Sequence, residues 1–247
     1  ARLEVAFVGS FPDPLHPLGT ARPALVFGGR SNVGKSSALH ALIGRKAQEA
    51  FDLSREDPAV RAAYSDHLWC QQALLARRLV EAGVAFVTID LSYHTASGTW
   101  DTHGDNIPPY GGITKGLGPL LPLFDHLLTT LVTDLERRGL LDEVLVIAMG
   151  EFGRTPAIGT QDSTDGRNHW PVVMSACLAG GGLKHSQVIG ATTPDGGEIS
   201  DRPVTPADFA ATIYRYMGVP LDLSYLDDRQ RPRYIVEENG APVSELF

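Results

Sequence analysis

The stretch EVLVIAMGEFGRTP, residues 143–156, places a run of apolar residues directly before a polar loop. Its apolar part, 143–150, is typical of a strand buried on both faces of a parallel sheet. The polar part begins where that strand ends, and ligands of open α/β sheets bind at the carboxyl ends of the strands. This stretch therefore predicts a buried sheet and a functional site at its edge.

Apolar runs elsewhere in the chain complete the predicted sheet. VAFVTIDL at 84–91 and VVMSACLAG at 172–180 predict two further buried strands. Apolar residues at helical spacing predict helices over 58–82, 119–138 and 206–217, and a glycine follows each of them. We therefore predict an α/β fold, in which a layered sheet of mostly parallel strands is flanked by helices.

Composition and charge exclude several classes of partner. The 247 residues carry a formal net charge of −8, and Lys and Arg are scattered along the chain rather than clustered. This balance argues against a nucleic-acid groove and against an anionic membrane surface. No apolar run has the length of a membrane span, and the chain as given shows no signal-peptide pattern. We expect Cys70 and Cys177 to be buried free thiols.

The motif Gly-x-x-x-x-Gly-Lys-Ser predicts a phosphate-binding loop near the start of the chain. It runs from Gly29 through Gly34 and Lys35 to Ser36, between an apolar run and a helix-like segment. In such a loop Lys35 reaches the terminal phosphates and Ser36 binds Mg²⁺. The cofactor that this motif indicates is GTP or another nucleotide with magnesium.

Residues 1–46 resemble the opening of ribosome-assembly GTPases of the EngB (YsxC) type. The resemblance covers "FVGSFPDPLHPL" and "GRSNVGKSSALHALIGRK" and ends after Lys46. A GTPase also needs a switch threonine, an Asp-x-x-Gly and a base-reading motif, and none of these follows in the expected context. We therefore interpret residues 1–46 as a strand–loop–helix appendage, with GTP binding as an alternative function.

Three polar clusters follow the predicted strands: WDTHGDN at 100–106, GEFGRTP at 150–156 and GRNHW at 166–170. Loops that leave parallel strands converge at one sheet edge, so we expect these clusters to meet. Imidazoles and carboxylates are ligands of Zn²⁺ or Mn²⁺, and arginine binds anionic oxygens. The candidate metal ligands are Asp101, His103, Glu151 and His169, and the candidate anion-binding residue is Arg154.

Each cluster also has a purely structural interpretation. Asp-x-His in a loop is common in turns with local hydrogen bonds. Glu151 and Arg154 could form a simple ion pair, and His169 with Trp170 a packed corner. The residues alone leave these alternatives open.

Residues 47–247 resemble the C-terminal half of the domain-of-unknown-function family 1501, a branch of the alkaline phosphatase/sulfatase-like superfamily. The matching text includes "WDTHGDN", "LLDEVLVIAMGEFGRTP", "GRNHWP" and "DRPVTPADFAATIYRYMG". The resemblance implies a metal-dependent hydrolase of small phosphate or sulfate esters. It places metal ligands at Asp101, His103, Glu151 and His169, with Asn168 where the family usually has Asp.

The resemblance also implies that the activity is incomplete. The half of the family domain that would carry the nucleophile has no counterpart here, and no residue is assigned that role. A non-catalytic fusion product is therefore a third possible interpretation.

Overall fold

The computed structural model describes residues 45–92, 99–106, 111–160, 162–237 and 239–247. The chain divides into two compact units. The first contains the chain up to Asp101 together with Thr114–Leu140, and the second contains Thr102–Ile113 and Leu141–Phe247. The proposed appendage at residues 1–46 lies almost entirely outside the described residues, so its boundary stays a prediction.

The first unit is helical in its described part. The helices are α1 (Arg45–Ala50), α2 (Pro58–Tyr64), α3 (Leu68–Glu81), α4 (Gly112–Leu117), whose first two residues belong to the second unit, and α5 (Leu120–Arg137). A short 3₁₀ helix, Leu53–Arg55, joins α1 to the segment before α2. Among the described residues no helix is long and apolar enough to cross a membrane.

The predicted helix over 58–82 is two helices. Ser65 ends α2 with a φ of 70°, a left-handed conformation that a continuing helix cannot contain. The next helix, α3, begins at Leu68 and is capped by His67, whose side chain accepts a hydrogen bond from the backbone N–H of Trp69 at 3.2 Å. The prediction of one helix was wrong because the spacing of apolar residues continues across the break in the backbone and gives no sign of it.

The helices of the first unit are joined by a buried ionic network around Arg77, which is 1% exposed. Its guanidinium nitrogens lie 2.6 Å from Glu56, 2.5 Å from Glu81 and 2.9 Å from Asp134. Glu56 precedes α2, Glu81 ends α3 and Asp134 lies in α5. One buried cation therefore fixes three separate segments against each other.

The predicted strand over 84–91 is not formed. Only Thr88 forms an isolated β-bridge in this segment. Val84 and Val87 instead pack against the cluster of Ala50, Leu75 and Leu79. The apolar run therefore covers α1 and α3, which satisfies its hydrophobic character without a sheet.

The second unit contains paired short strands and one longer helix. The strands are β1 (Leu145–Met149), β2 (Gly153–Arg154), β3 (His169–Trp170), β4 (Ala176–Gly180), β5 (Ala191–Thr192), β6 (Ile199–Asp201), β7 (Ser224–Leu226) and β8 (Pro232–Tyr234). The helix is α6 (Pro206–Tyr216), and a 3₁₀ turn, Ser244–Leu246, lies near the end of the chain.

The strands of the described residues pair two by two, and every pair is antiparallel. β1 pairs with β4 over five residues, from Leu145 opposite Gly180 to Met149 opposite Ala176. These strands fall within the predicted runs 143–150 and 172–180, but they are not parallel neighbours. The mostly parallel layered sheet of the alkaline phosphatase type stays a prediction.

A small core supports the β1–β4 pair. Leu183, Val243 and Leu246 are buried there, with Leu145 and Tyr216 packed against them. Cys177, on β4, is a free thiol as expected but is exposed rather than buried, whereas Cys70 is free and buried. A strand in a two-stranded sheet leaves some of its residues uncovered.

Replacing Arg77 with Met should lower the free energy of unfolding by up to about 3 kcal/mol, because Glu56 and Asp134 keep only their contacts with the less buried Arg78 and Arg138. Urea denaturation monitored by circular dichroism measures this loss. Arg137→Met, which removes an exposed arginine at the end of α5, is the control and should cost less than about 1 kcal/mol. Equal losses in the two variants would contradict the role given to Arg77.

The network also predicts how stability depends on pH. Burial raises the pKa of Glu56, but hydrogen bonds from Arg78 and Arg77 outweigh it and bring the pKa to about 2 from an ordinary 4.5. The stabilisation is therefore complete above pH 4.5 and is lost as the pH falls towards 2.

Between pH 4.5 and 2 the free energy of unfolding should fall less steeply in Glu56→Gln than in the unmodified protein. The two slopes should differ by up to about 1.4 kcal/mol per pH unit, the contribution of one titrating group. Urea titrations at several pH values measure the slope, with Glu136→Gln on the exposed surface of α5 as control. A slope that is the same in Glu56→Gln and the unmodified protein would contradict the prediction.

Candidate metal and anion site

The candidate site is built on the β2–β3 pair of the second unit. Arg154 lies directly opposite His169, and Gly153 opposite Trp170. Directly opposed residues of an antiparallel pair project from the same face of the sheet. The pairing therefore places the side chains of Arg154 and His169 side by side.

Arg167 closes the loop between these strands. Its Nε donates to the carbonyl of Thr155 at 2.5 Å, and its terminal nitrogen donates to the carbonyl of Arg154 at 3.0 Å. The backbone N–H of Thr155 also donates to the carbonyl of Asn168 at 2.9 Å. A two-residue ladder is short, and these bonds extend its pairing.

The segment 102–106 docks on this loop through Thr102. The backbone N–H of Arg167 donates to the carbonyl of Thr102 at 2.7 Å, and the Thr102 hydroxyl donates to the carbonyl of Arg167 at 3.1 Å. Thr102 is 2% exposed. Its polar groups are thus satisfied while buried, as a buried hydroxyl requires.

Asp105 forms the second anchor of the segment. Its carboxylate accepts hydrogen bonds from the Ser163 hydroxyl at 2.7 Å and from the hydroxyl and N–H of Thr164 at 2.8 and 3.2 Å. The hydrogen bonds from Ser163 and Thr164 lower the pKa of Asp105 to about 2. The carboxylate is therefore ionised throughout the neutral range and acts as an acceptor for the loop.

Two glycines allow the segments to approach this closely. A Cβ added at Gly166 would lie 2.9 Å from Gly104 Cα and 2.7 Å from Ser163 Oγ. A Cβ added at Gly104 would lie 2.9 Å from Ser163 Cβ. Real side chains do not approach at such distances, so both positions need the absence of a side chain.

Docking brings His103 next to His169. The centroids of their rings are 4.4 Å apart with an angle of 57° between the ring planes. Phe152 lies against His169, also with 4.4 Å between centroids, and the Arg154 guanidinium carbon is 5.9 Å from the Phe152 ring centroid. Two imidazoles, one aromatic ring and one guanidinium thus form a single cluster, which we call the histidine pair site.

The other two predicted metal ligands, Asp101 and Glu151, are not part of this cluster. Glu151 is exposed in the turn after β1, and Asp101 is half-buried and belongs to the first unit. Within the described ranges no group of three or more His, Cys, Asp or Glu residues is arranged to hold a metal ion. The structure therefore brings together two of the four residues, His103 and His169.

The predicted phosphate loop is not among the residues that the structure describes. Gly29, Gly34, Lys35 and Ser36 all lie outside the described residues. Nucleotide binding with Mg²⁺ therefore stays a prediction.

Sequence reasoning missed the residues that assemble the site. Arg167, Ser163 and Thr164 carry the docking bonds, and Phe152 packs on His169. The only sequence signal for these residues was their place in the polar loop between the predicted strands at 143–150 and 172–180. Ser, Thr and Asp in a loop also form ordinary turns, so that signal is weak.

A protein-family model matches most of the chain. The family model described as "Protein of unknown function (DUF1501)" matches residues 32–247, and the chain therefore belongs to this family. The match includes the whole histidine pair site and begins inside the predicted phosphate loop. No curated protein and no solved structure matches the chain.

Removing the Asp105 carboxylate should loosen the docked segment. In Asp105→Ala the amide of Thr164 loses its acceptor, and the amide of Arg167 becomes easier to expose. Hydrogen exchange measured by mass spectrometry should show faster exchange in residues 162–167 and unchanged exchange in α3. Asp142→Ala, in an exposed turn, is the matched control, and unaltered exchange in Asp105→Ala would contradict the anchoring role.

Proposed function

We propose that the chain is a metal-dependent hydrolase of small phosphate or sulfate esters, centred on the histidine pair site and of reduced activity because no residue is assigned as its nucleophile. One observation carries this proposal: the ring centroids of His103 and His169 are 4.4 Å apart, and Arg154 on β2 lies directly opposite His169. Membership of the DUF1501 family assigns no activity by itself.

The two imidazoles fit a divalent metal ion of the zinc or manganese type. Neutral imidazole nitrogen is a good ligand for such ions, and histidines from two segments commonly share one ion. His103 and His169 would supply two ligands to the ion. Among the described residues, no group of three or more potential ligands surrounds such a position. A bound ion would act as a Lewis acid on an ester oxygen.

Arg154 gives the site its preference for an anionic substrate. A guanidinium can donate two parallel hydrogen bonds to the oxygens of a phosphate or sulfate group. Because Arg154 lies opposite His169, an anion that it binds would lie beside the imidazoles. Phe152 covers one side of His169 and shields that side from water.

Metal affinity provides the first test. His103→Ala and His169→Ala should each weaken binding of Zn²⁺ or Mn²⁺ at least about tenfold in calorimetric titration, because each removes a ligand. His126→Ala removes an exposed histidine of α5 and is the matched control. Unchanged affinity in both site variants, with unchanged melting temperature, would refute the metal site.

Hydrolysis tests the substrate class separately. With Zn²⁺ or Mn²⁺ supplied, p-nitrophenyl phosphate or sulfate should be hydrolysed, and Arg154→Met should raise KM more than it lowers kcat. Metal binding without turnover of either ester would retain the metal site and reject the hydrolase.

A further inference from the structure

A cavity that is open to solvent lies in the second unit, between the loop after β2 and the β5–β6 hairpin. Its volume is about 580 Å³, and its walls include Thr155, Pro156, Trp170, Asp195 and Glu198. Small-molecule sites of proteins commonly measure roughly 300–1,000 Å³. The cavity is therefore large enough for a small ligand.

This cavity is separate from the histidine pair site. Successive side chains of a strand point to opposite faces, so Trp170 projects away from the face that carries His169. Thr155, which lines the cavity, likewise follows Arg154 directly. Neither His103 nor His169 lines the cavity.

Trp170 provides a fixed aromatic wall. Its indole N–H donates to the carbonyl of Gly197 at 2.6 Å, which ties β3 to the β5–β6 hairpin. The edge of the ring is thereby held by the protein while the ring forms part of the wall. The face of an indole carries partial negative charge and attracts electropositive C–H groups.

Two carboxylates provide acceptors for hydroxyl groups. Asp195 Oδ1 accepts from the Thr193 hydroxyl at 2.6 Å and from the Gly197 N–H at 3.1 Å, which fixes the carboxylate in place. Asp195 and Glu198 are both exposed in the described structure. Both therefore have lone pairs available for ligand donors.

The charges of the wall select among ligand classes. Its residues include two acids and neither Lys nor Arg, so an anionic ligand would be repelled. Cages for quaternary ammonium groups use several aromatic faces, and Trp170 is the one aromatic residue that lines the cavity, so a cation would be held by the two carboxylates alone. An aromatic face with two acceptors suits a neutral ring that has C–H groups on one side and hydroxyl donors around its edge.

We propose that this cavity binds a neutral saccharide, which stacks a ring on Trp170 and donates hydroxyl hydrogen bonds to Asp195 and Glu198. The proposal is independent of the metal site, because it uses the opposite face of the β2–β3 pair.

Direct binding of unmodified sugars tests the proposal. Saturation-transfer NMR and calorimetry with maltose, cellobiose and lactose should detect at least one of them. Asp195→Asn and Glu198→Gln should each weaken that sugar about five- to tenfold, because a charge-assisted hydrogen bond becomes a neutral one. Asp201→Asn, on β6 and outside the cavity, should leave the affinity unchanged.

A steric variant locates the sugar in this cavity. A Cβ at Gly197 would lie 3.2 Å from Asp195 Oδ2 and 3.3 Å from Pro156 Cγ, so Gly197→Ala narrows the cavity and should weaken binding at least tenfold. Gly150→Ala, whose Cβ would meet only the Phe152 carbonyl at 3.9 Å, is the control.

Three outcomes would overturn the proposal. The first is that none of the three sugars binds. The second is that tetramethylammonium binds in an Asp195-dependent way and the sugars do not, which would make this a cation site. The third is that a sugar binds equally well to Gly197→Ala and Asp195→Asn when both variants keep the melting temperature of the unmodified protein.

Discussion

The first unit depends on one buried cation. Arg77 is almost fully enclosed and is compensated by carboxylates that come from before α2, from the end of α3 and from α5. Such a group is costly to bury and becomes acceptable only when all its partners are in place. The network therefore ties these segments together, and Arg78 and Arg138 reinforce it by pairing with the same carboxylates.

The histidine pair site follows a different principle. Its segments are short and have little apolar surface, so hydrogen bonds to the backbone hold them together. Thr102 and Asp105 dock one segment, and Arg167 closes the loop that receives it. Glycines at 104 and 166 provide the room that these bonds require.

The sequence predicted helices better than sheets. The periodicity of α5 is strong, and its boundaries and the burial of Leu127, Leu131 and Leu135 agree with it. The apolar run at 84–91 was misinterpreted because burial against a helix and burial in a sheet need the same residue types. His103 and His169 were correctly grouped, but for a reason that the described structure does not show. They meet through an antiparallel pair and a docked loop rather than through the aligned ends of parallel strands.

In segment 102–106, the residues that hold the segment in place differ from the residue that carries its proposed chemistry. The bonds that hold the segment come from Thr102 and Asp105, the residues on either side of His103 and Gly104. In β3, residue 169 pairs with β2 through its backbone, and this pairing does not depend on the side chain at that position. Positions 103 and 169 can therefore exchange one functional group for another while the frame is conserved. Loss of either histidine would therefore remove the chemistry of the site and leave the close contacts at Gly104 and Gly166 in place.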